Sequence, residues 1–272
     1  MSKTRWTIPF LAAAALLLSA CGAGTEASWE NETVVVESER LMADAVEADW
    51  TIGGGPAGSG ESTQIRLRLS TAGGEPIEAF DVNHEKLLHL IVVNKDLSYF
   101  AHIHPEYKED GVFEIANDFP AGGEYRFIAD FKPTDGDSMT KAEWIALEGD
   151  EAPLEPIAPN ASLTDTAGGQ RVDLTVDGLE AKGETTLTFK VSDEATGEPV
   201  ADLEPYLGAI GHVVVLSADG ETYVHVHAEE GQGSGPDAVF ETSFPQSGVY
   251  KLWGQFQRDG QVFTVSYVID VP

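Results

Sequence analysis

The chain has 272 residues, 42% of them hydrophobic, and carries 46 Asp and Glu against 16 Lys and Arg, a formal charge of −30. That length accommodates one large domain or two of about 100 residues. So acidic a surface disfavours phosphate-backbone binding and argues against nucleic acid as a partner. It attracts cations over a screening length of about 8 Å.

Residues 1–20 read as an export signal. Lys3 and Arg5 give the positive start, and Ile8 to Leu18 form an apolar run broken only by Pro9. The run is shorter than the about 20 residues that a spanning helix needs. It ends in Leu18-Ser19-Ala20-Cys21, which resembles the bacterial lipobox, in which the cysteine is acylated and becomes the first mature residue. The expected location is therefore the cell envelope, outside the cytoplasmic membrane, held to the membrane through lipid on Cys21. This is the chain's only cysteine, so disulfides and thiolate ligands are both excluded from the folded part. Residues 21–32, rich in Gly, Ala, Ser and Glu, suit a flexible tether.

Two segments that follow are copies of each other. Residues 74–104 align with 197–227 without a gap: Gly74-Glu75-Pro76-Ile77 with Gly197-Glu198-Pro199-Val200, His89 with His212, Asp96 with Asp219, and His102 and His104 with His225 and His227. Phe119-Pro120-x-x-Gly123-x-Tyr125 recurs as Phe244-Pro245-x-x-Gly248-x-Tyr250. The expected domains are 33–148 and 170–272, joined by a Pro-, acid- and small-residue-rich linker at 149–169.

Each copy reads as all-β, and together they predict two tandem immunoglobulin-like β-sandwich domains. Ile65-Arg66-Leu67-Arg68-Leu69 and Leu187-Thr188-Phe189-Lys190-Val191 alternate as half-buried strands do. Leu88 to Val93 and Val213 to Leu216 are continuous apolar runs, expected of more deeply buried strands. About seven short strands per 100 residues suit such a sandwich, and the Gly-x-Tyr of each copy is compatible with its tyrosine corner. Val35 to Val46 is the one segment beyond the signal with any helical pattern.

The histidines have a hairpin logic. Asp219-Gly220 is a strong signal for a two-residue turn. Centring a hairpin there sets His212 opposite His227 and Val214 opposite His225, with all three imidazoles on one face. A turn at Asp96-Leu97 does the same for His89, His102 and His104, without the glycine. Three convergent imidazoles suit copper or zinc. Six of the seven histidines belong to these trios, and the seventh, His84, has Leu207 at its counterpart position. Asp81 and Glu204, which match each other ahead of the first histidine, are candidates for a fourth ligand or a partner orienting an imidazole. Glu106, Glu229 and Glu230 have similar standing, and Tyr125, Tyr250 and Trp253 read as core.

An HxH-bearing β-sandwich on an exported lipoprotein resembles the small copper-handling envelope domains of the YtkA-like and CopC-like kind, on His102-x-His104 and His225-x-His227. The resemblance implies metal buffering, sensing or delivery, with a protein partner in metal transfer. The mature N-terminal His that CopC-like proteins use as a copper ligand is replaced here by Cys21, and their Met-rich Cu(I) motifs are missing. An imidazole site for Cu(II) or Zn(II) is what remains of the implication. Two other functions fit the residues: a zinc-dependent hydrolase or hydratase with water at an open fourth position, and a metal-free tandem interaction module. Metal binding on free imidazole is expected to fade below about pH 6.5.

Overall fold

The computed structural model describes residues 41–272, which belong to one compact unit. The expected signal, the lipidation at Cys21 and the tether lie outside the described residues. Of Val35–Val46, the described part holds one 3-10 turn, Ala43–Ala45, before the first strand begins.

The first repeat contains β1 (Val46–Gly53), β2 (Thr63–Thr71), β3 (Leu88–Asn94), β4 (Phe100–Ile103), β5 (Glu106–Tyr107), β6 (Val112–Asn117), β7 (Gly123–Phe131) and β8 (Met139–Leu147). One sheet has the order β1-β2-β6-β5, the other β4-β3-β7-β8. The second repeat adds β9 (Thr164–Ala167), β10 (Gln170–Asp177), β11 (Thr185–Asp193), β12 (His212–Ser217), β13 (Tyr223–Val224), β14 (Val226–Ala228), β15 (Asp237–Thr242), β16 (Gly248–Arg258) and β17 (Gln261–Val271). Its sheets run β14-β15-β11-β10-β9 and β13-β12-β16-β17. Both repeats are immunoglobulin-like sandwiches of antiparallel strands. The end of the expected linker is itself structured, because β9 pairs with β10 over Thr164–Ala167.

Alternation decides which side chains enter each sandwich. Ile65, Leu67 and Leu69 are buried on β2 while Gln64 and Arg66 are exposed, and Leu187, Phe189 and Val191 repeat this on β11. The tyrosine corner is present twice. The Tyr125 hydroxyl donates to the Ala121 carbonyl at 2.8 Å, and that of Tyr250 to Gln246 at 2.9 Å.

The continuous apolar runs have a different cause. On β3, Leu88, Leu90 and Val92 face their own core, while Ile91 and Val93 point out of the sandwich. On β12, Val213 and Val215 face inward and Val214 and Leu216 outward. The outward residues of the two repeats meet with Leu97, Ile128 and Trp253 in a separate buried cluster. Each run is apolar throughout because one face packs in its own sandwich and the other against the neighbouring repeat. Trp253 thus belongs to this shared layer, stacked on Phe100 with centroids 4.6 Å apart.

Equivalent positions meet across the layer, as in an isologous dimer. The turn at Asn83–Lys86 and its counterpart at Tyr206–Ala209 lie together: the His84 ring donates to the Leu207 carbonyl, and Gly208 lies beside the Glu85 side chain.

Candidate metal centre

The histidines extend the outward face that carries the shared apolar layer. His89 precedes Ile91 and Val93 by the two-residue period of β3, and His212 precedes Val214 and Leu216 in the same way on β12. His102 lies opposite Ile91 on β4. The imidazoles therefore gather at one end of the layer, where repeat meets repeat.

The register expected for the first hairpin is observed, with Leu90 opposite Ile103 and Ile91 opposite His102. His89, His102 and His104 each present a ring nitrogen, all within 4.8 Å of one another. His89 Nδ1 lies 3.0 Å from His102 Nε2. The far nitrogens are held by oxygens: His89 Nε2 by the Asn83 carbonyl at 3.0 Å, and His102 Nδ1 by Gln255 Oε1 at 2.7 Å. The buried Nε2 of His104 has no hydrogen-bond partner among the described residues.

The second hairpin starts in the expected register, with Val215 opposite Val224 and Leu216 opposite Tyr223, but pairing ends there. The chain then crosses to the other sheet, where His227 pairs with Glu241 on β15. The Thr242 hydroxyl takes the His225 carbonyl at 2.7 Å and anchors the crossing. The first repeat also crosses, but only after His104, at Pro105, which has no N–H for a ladder. So His212 is not opposite His227, and the second trio is not assembled. His225 and His227 stay together on the surface, with ring centroids 4.5 Å apart.

His212 joins the first trio instead. Its ring lies 4.8 Å from that of His102 and stacks on His89 at 5.7 Å. His84 adds a fifth imidazole, 5.5 Å from His212 and 6.1 Å from His89. It reaches the cluster from a turn in which both His84 and Glu85 have positive φ, 45° and 64°, a strained choice for non-glycine residues.

Burial sets the protonation of the cluster. It holds His102 well below the usual imidazole range, with repulsion from His212 and His89 adding to the effect. It pushes His104 down to about 4, aided by His89 and Lys86, and His212 down to about 3, aided by His89 and His84. These rings are neutral at pH 7, which is the ligating form.

The acidic candidates lie elsewhere. The Asp81 carboxylate pairs with Lys132 at 2.8 Å and accepts from Thr134, and Glu204 accepts from the Gln257 amide at 2.8 Å and from the Gly260 N–H. Neither is positioned as a ligand of the trio. Glu106 pairs with Lys108, while Glu229 and Glu230 line a cleft with His84 and His227. Sequence reasoning missed His84, Asn83 and Gln255. Gln255 occupies the β16 position paired with His212, a signal usable only once strand order is known.

No curated protein matches the chain. Among solved structures it is similar to FdeC, described as an Escherichia coli adhesin, at 18% identity and TM-score 0.28, over 84% of this chain and 66% of that one. It is also similar to invasin, described as a bacterial integrin-binding protein, at 13% identity and TM-score 0.25, over 82% of this chain and 38% of that one. The chain thus spans less than two thirds of either structure's length. A family model matches twice, over residues 42–149 and 165–272, and the chain belongs to that family, described as Domain of unknown function (DUF8832).

Proposed function

We propose that this protein is a lipid-anchored envelope protein that binds one copper or zinc ion on His89, His102 and His104, with His212 closing the set, for metal buffering, sensing or delivery. The observation that carries the reading is the 3.0 Å approach of His89 Nδ1 and His102 Nε2. A neutral imidazole has one N–H. If His89 donates to the Asn83 carbonyl and His102 to Gln255 Oε1, the two facing nitrogens both present lone pairs. Such a contact is repulsive unless a cation lies between them, and a proton there would create a buried imidazolium, which burial opposes.

A metal ion removes the conflict. With bonds of about 2.0–2.1 Å, two nitrogens 3.0 Å apart subtend roughly a right angle at the ion, which suits tetragonal copper, and a small opening would suit zinc. Ligating histidines commonly donate their other N–H to a carbonyl or carboxylate, the arrangement that Asn83 and Gln255 supply. The unpartnered Nε2 of His104 provides a third donor. The envelope location rests on the Leu18-Ser19-Ala20-Cys21 pattern.

The test is metal content after purification without chelator, with titration of Cu(II) and Zn(II) into the wild type and His102→Ala. One tight ion per chain, lost in the variant, is expected. Equal weak binding by both proteins would sink the proposal.

A further inference from the structure

Two clefts reach the histidine cluster, and their charges differ. One, of about 460 Å³, is lined by His104 together with Glu85, Lys86 and Glu106, and the Lys86 ammonium acts on His104 itself. The other, of about 820 Å³, is lined by His84, His227, Glu204, Glu229 and Glu230, with no lysine or arginine in its wall. A divalent cation meets an ammonium beside His104 in the first cleft and only carboxylates and imidazoles in the second, which draws it in more strongly.

A series of imidazoles leads inward from the second cleft, which His84 and His227 line. His225 and His227 are exposed, with rings 4.5 Å apart. His227 acts electrostatically on His84. The His84 ring is 5.5 Å from that of His212, which is 4.8 Å from that of His102. From His84 inward, neighbouring rings of the series are thus 4.8–5.5 Å apart. The early crossing of the second repeat places His225 and His227 at the surface end, instead of beside His212.

We infer that His225 and His227 form an outer capture site for Cu(II) or Zn(II), from which the ion passes by way of His84 and His212 to the buried trio. This rests on the proposed metal centre. Each step is a ligand exchange in which one imidazole nitrogen replaces another on the ion, with no change in oxidation state. The exposed pair binds weakly and exchanges quickly, and the buried set binds tightly.

The experiment is stopped-flow loading of the apo protein with Cu(II), alongside equilibrium titration and electron paramagnetic resonance. The proteins are wild type, His225→Ala/His227→Ala and Lys86→Gln. The double variant should keep the tight ion and its spectrum, lose a second, weaker ion, and load at least about tenfold more slowly. Lys86→Gln should load at the wild-type rate. Wild-type loading by the double variant, loss of its tight ion, or marked acceleration in Lys86→Gln would each overturn the capture site. Failure of the wild type to bind Cu(II) at all would instead remove the metal centre, so the two ideas fail separately. Both pair residues are exposed, and circular dichroism of the double variant verifies its fold.

Discussion

His89 and His212 occupy the same position in the two repeats, and their rings stack on each other with centroids 5.7 Å apart and planes 5° from parallel. The duplication has therefore folded back on itself, so that one face of each sandwich covers the other. Two potential metal sites have become one composite cluster. Its trio comes from the first repeat, while His212 and the amide that orients His102 come from the second.

Gln255 provides the sharpest test of that arrangement. Its Oε1 lies 2.7 Å from His102 Nδ1, and by accepting there it would place the proton on that nitrogen and leave Nε2 free for a metal. Gln255→Leu should weaken copper or zinc binding by about 10–100-fold. Gln255→Glu, which can only accept, should bind at least as tightly as wild type. Paired isotherms at pH 7 check this. If the Glu variant loses as much as the Leu variant, the amide donates to His102 and the facing lone pairs do not exist.

Acid should destabilise the apo protein over a defined window. Well above pH 6.5 the buried histidines are neutral in both folded and unfolded chains. Below it the unfolded chain takes up protons that the buried rings refuse, down to about 4 for His104 and about 3 for His212. Stability therefore falls with pH across that window, by up to about 1.4 kcal/mol per pH unit for the well-buried His212 and by less for the more exposed His104. Asp130 acts in the opposite sense. Burial pushes it up to about 6, so between 6 and its ordinary 3.8 its protonation favours the folded state. One carboxyl does not offset several histidines. Urea midpoints at pH 7, 6, 5 and 4 should decline steadily, and a flat series would contradict the burial of the rings.

The same depressed values revise the pH dependence of metal binding. Free imidazole loses its metal below about pH 6.5, but rings that stay unprotonated in the folded apo protein face little proton competition there. Affinity should hold between pH 7 and 5 and drop near 4, where His104 titrates. Competition titrations across that range measure it. A decline centred on 6.5 would mean that the tight ion is not held on the buried rings.

The shared apolar layer should be as important to the site as the ligands. Trp253 is 3% exposed, stacks on Phe100 and lies under the Lys251 ammonium. Trp253→Ala should cost about 3–5 kcal/mol, and Leu216→Asp should part the repeats by placing a charge among Ile91, Val93 and Val214. Both variants should lose metal affinity although they contact no ligand, because His212 and Gln255 withdraw with the second repeat. Thermal unfolding with and without metal reads both effects, and full affinity in Leu216→Asp would mean that the trio works alone.

Much of the fold was legible because its causes are local. Alternation on Ile65-Arg66-Leu67 marks a sandwich strand wherever that strand packs, and both hairpin registers follow from where their turns sit. The trio of the first repeat could be read for the same reason. What could not be read depended on partners distant in sequence. Ile91 and Val93 indicate that β3 is covered on both faces, but not that its second cover is β12. The crossing at His225 depends on a hydroxyl from Thr242, seventeen residues on, and it alone separates His225 and His227 from His212. His84 looked incidental because its counterpart is Leu207, yet those two positions meet across the interface.

That interface also explains a turn that carries the wrong residue for its geometry. Leu97 has φ 55°, in the left-handed region, where its counterpart Gly220 has φ 72°. A non-glycine residue there costs about 1–2 kcal/mol. The Leu97 side chain is fully buried in the layer, and its carbonyl accepts from the Lys251 ammonium of the second repeat at 2.8 Å. Leu97→Gly would relieve the backbone but remove packing worth about 2–5 kcal/mol, so the net effect should be destabilising. A Cβ at position 220 would come within 3.0 Å of the Trp144 ring, so Gly220→Ala should also destabilise, through backbone strain and displacement of that ring. Urea unfolding of both variants compares the two terms directly. A Leu97→Gly protein more stable than wild type would mean that strain outweighs packing, and that contact between the repeats is not what holds a leucine in this turn.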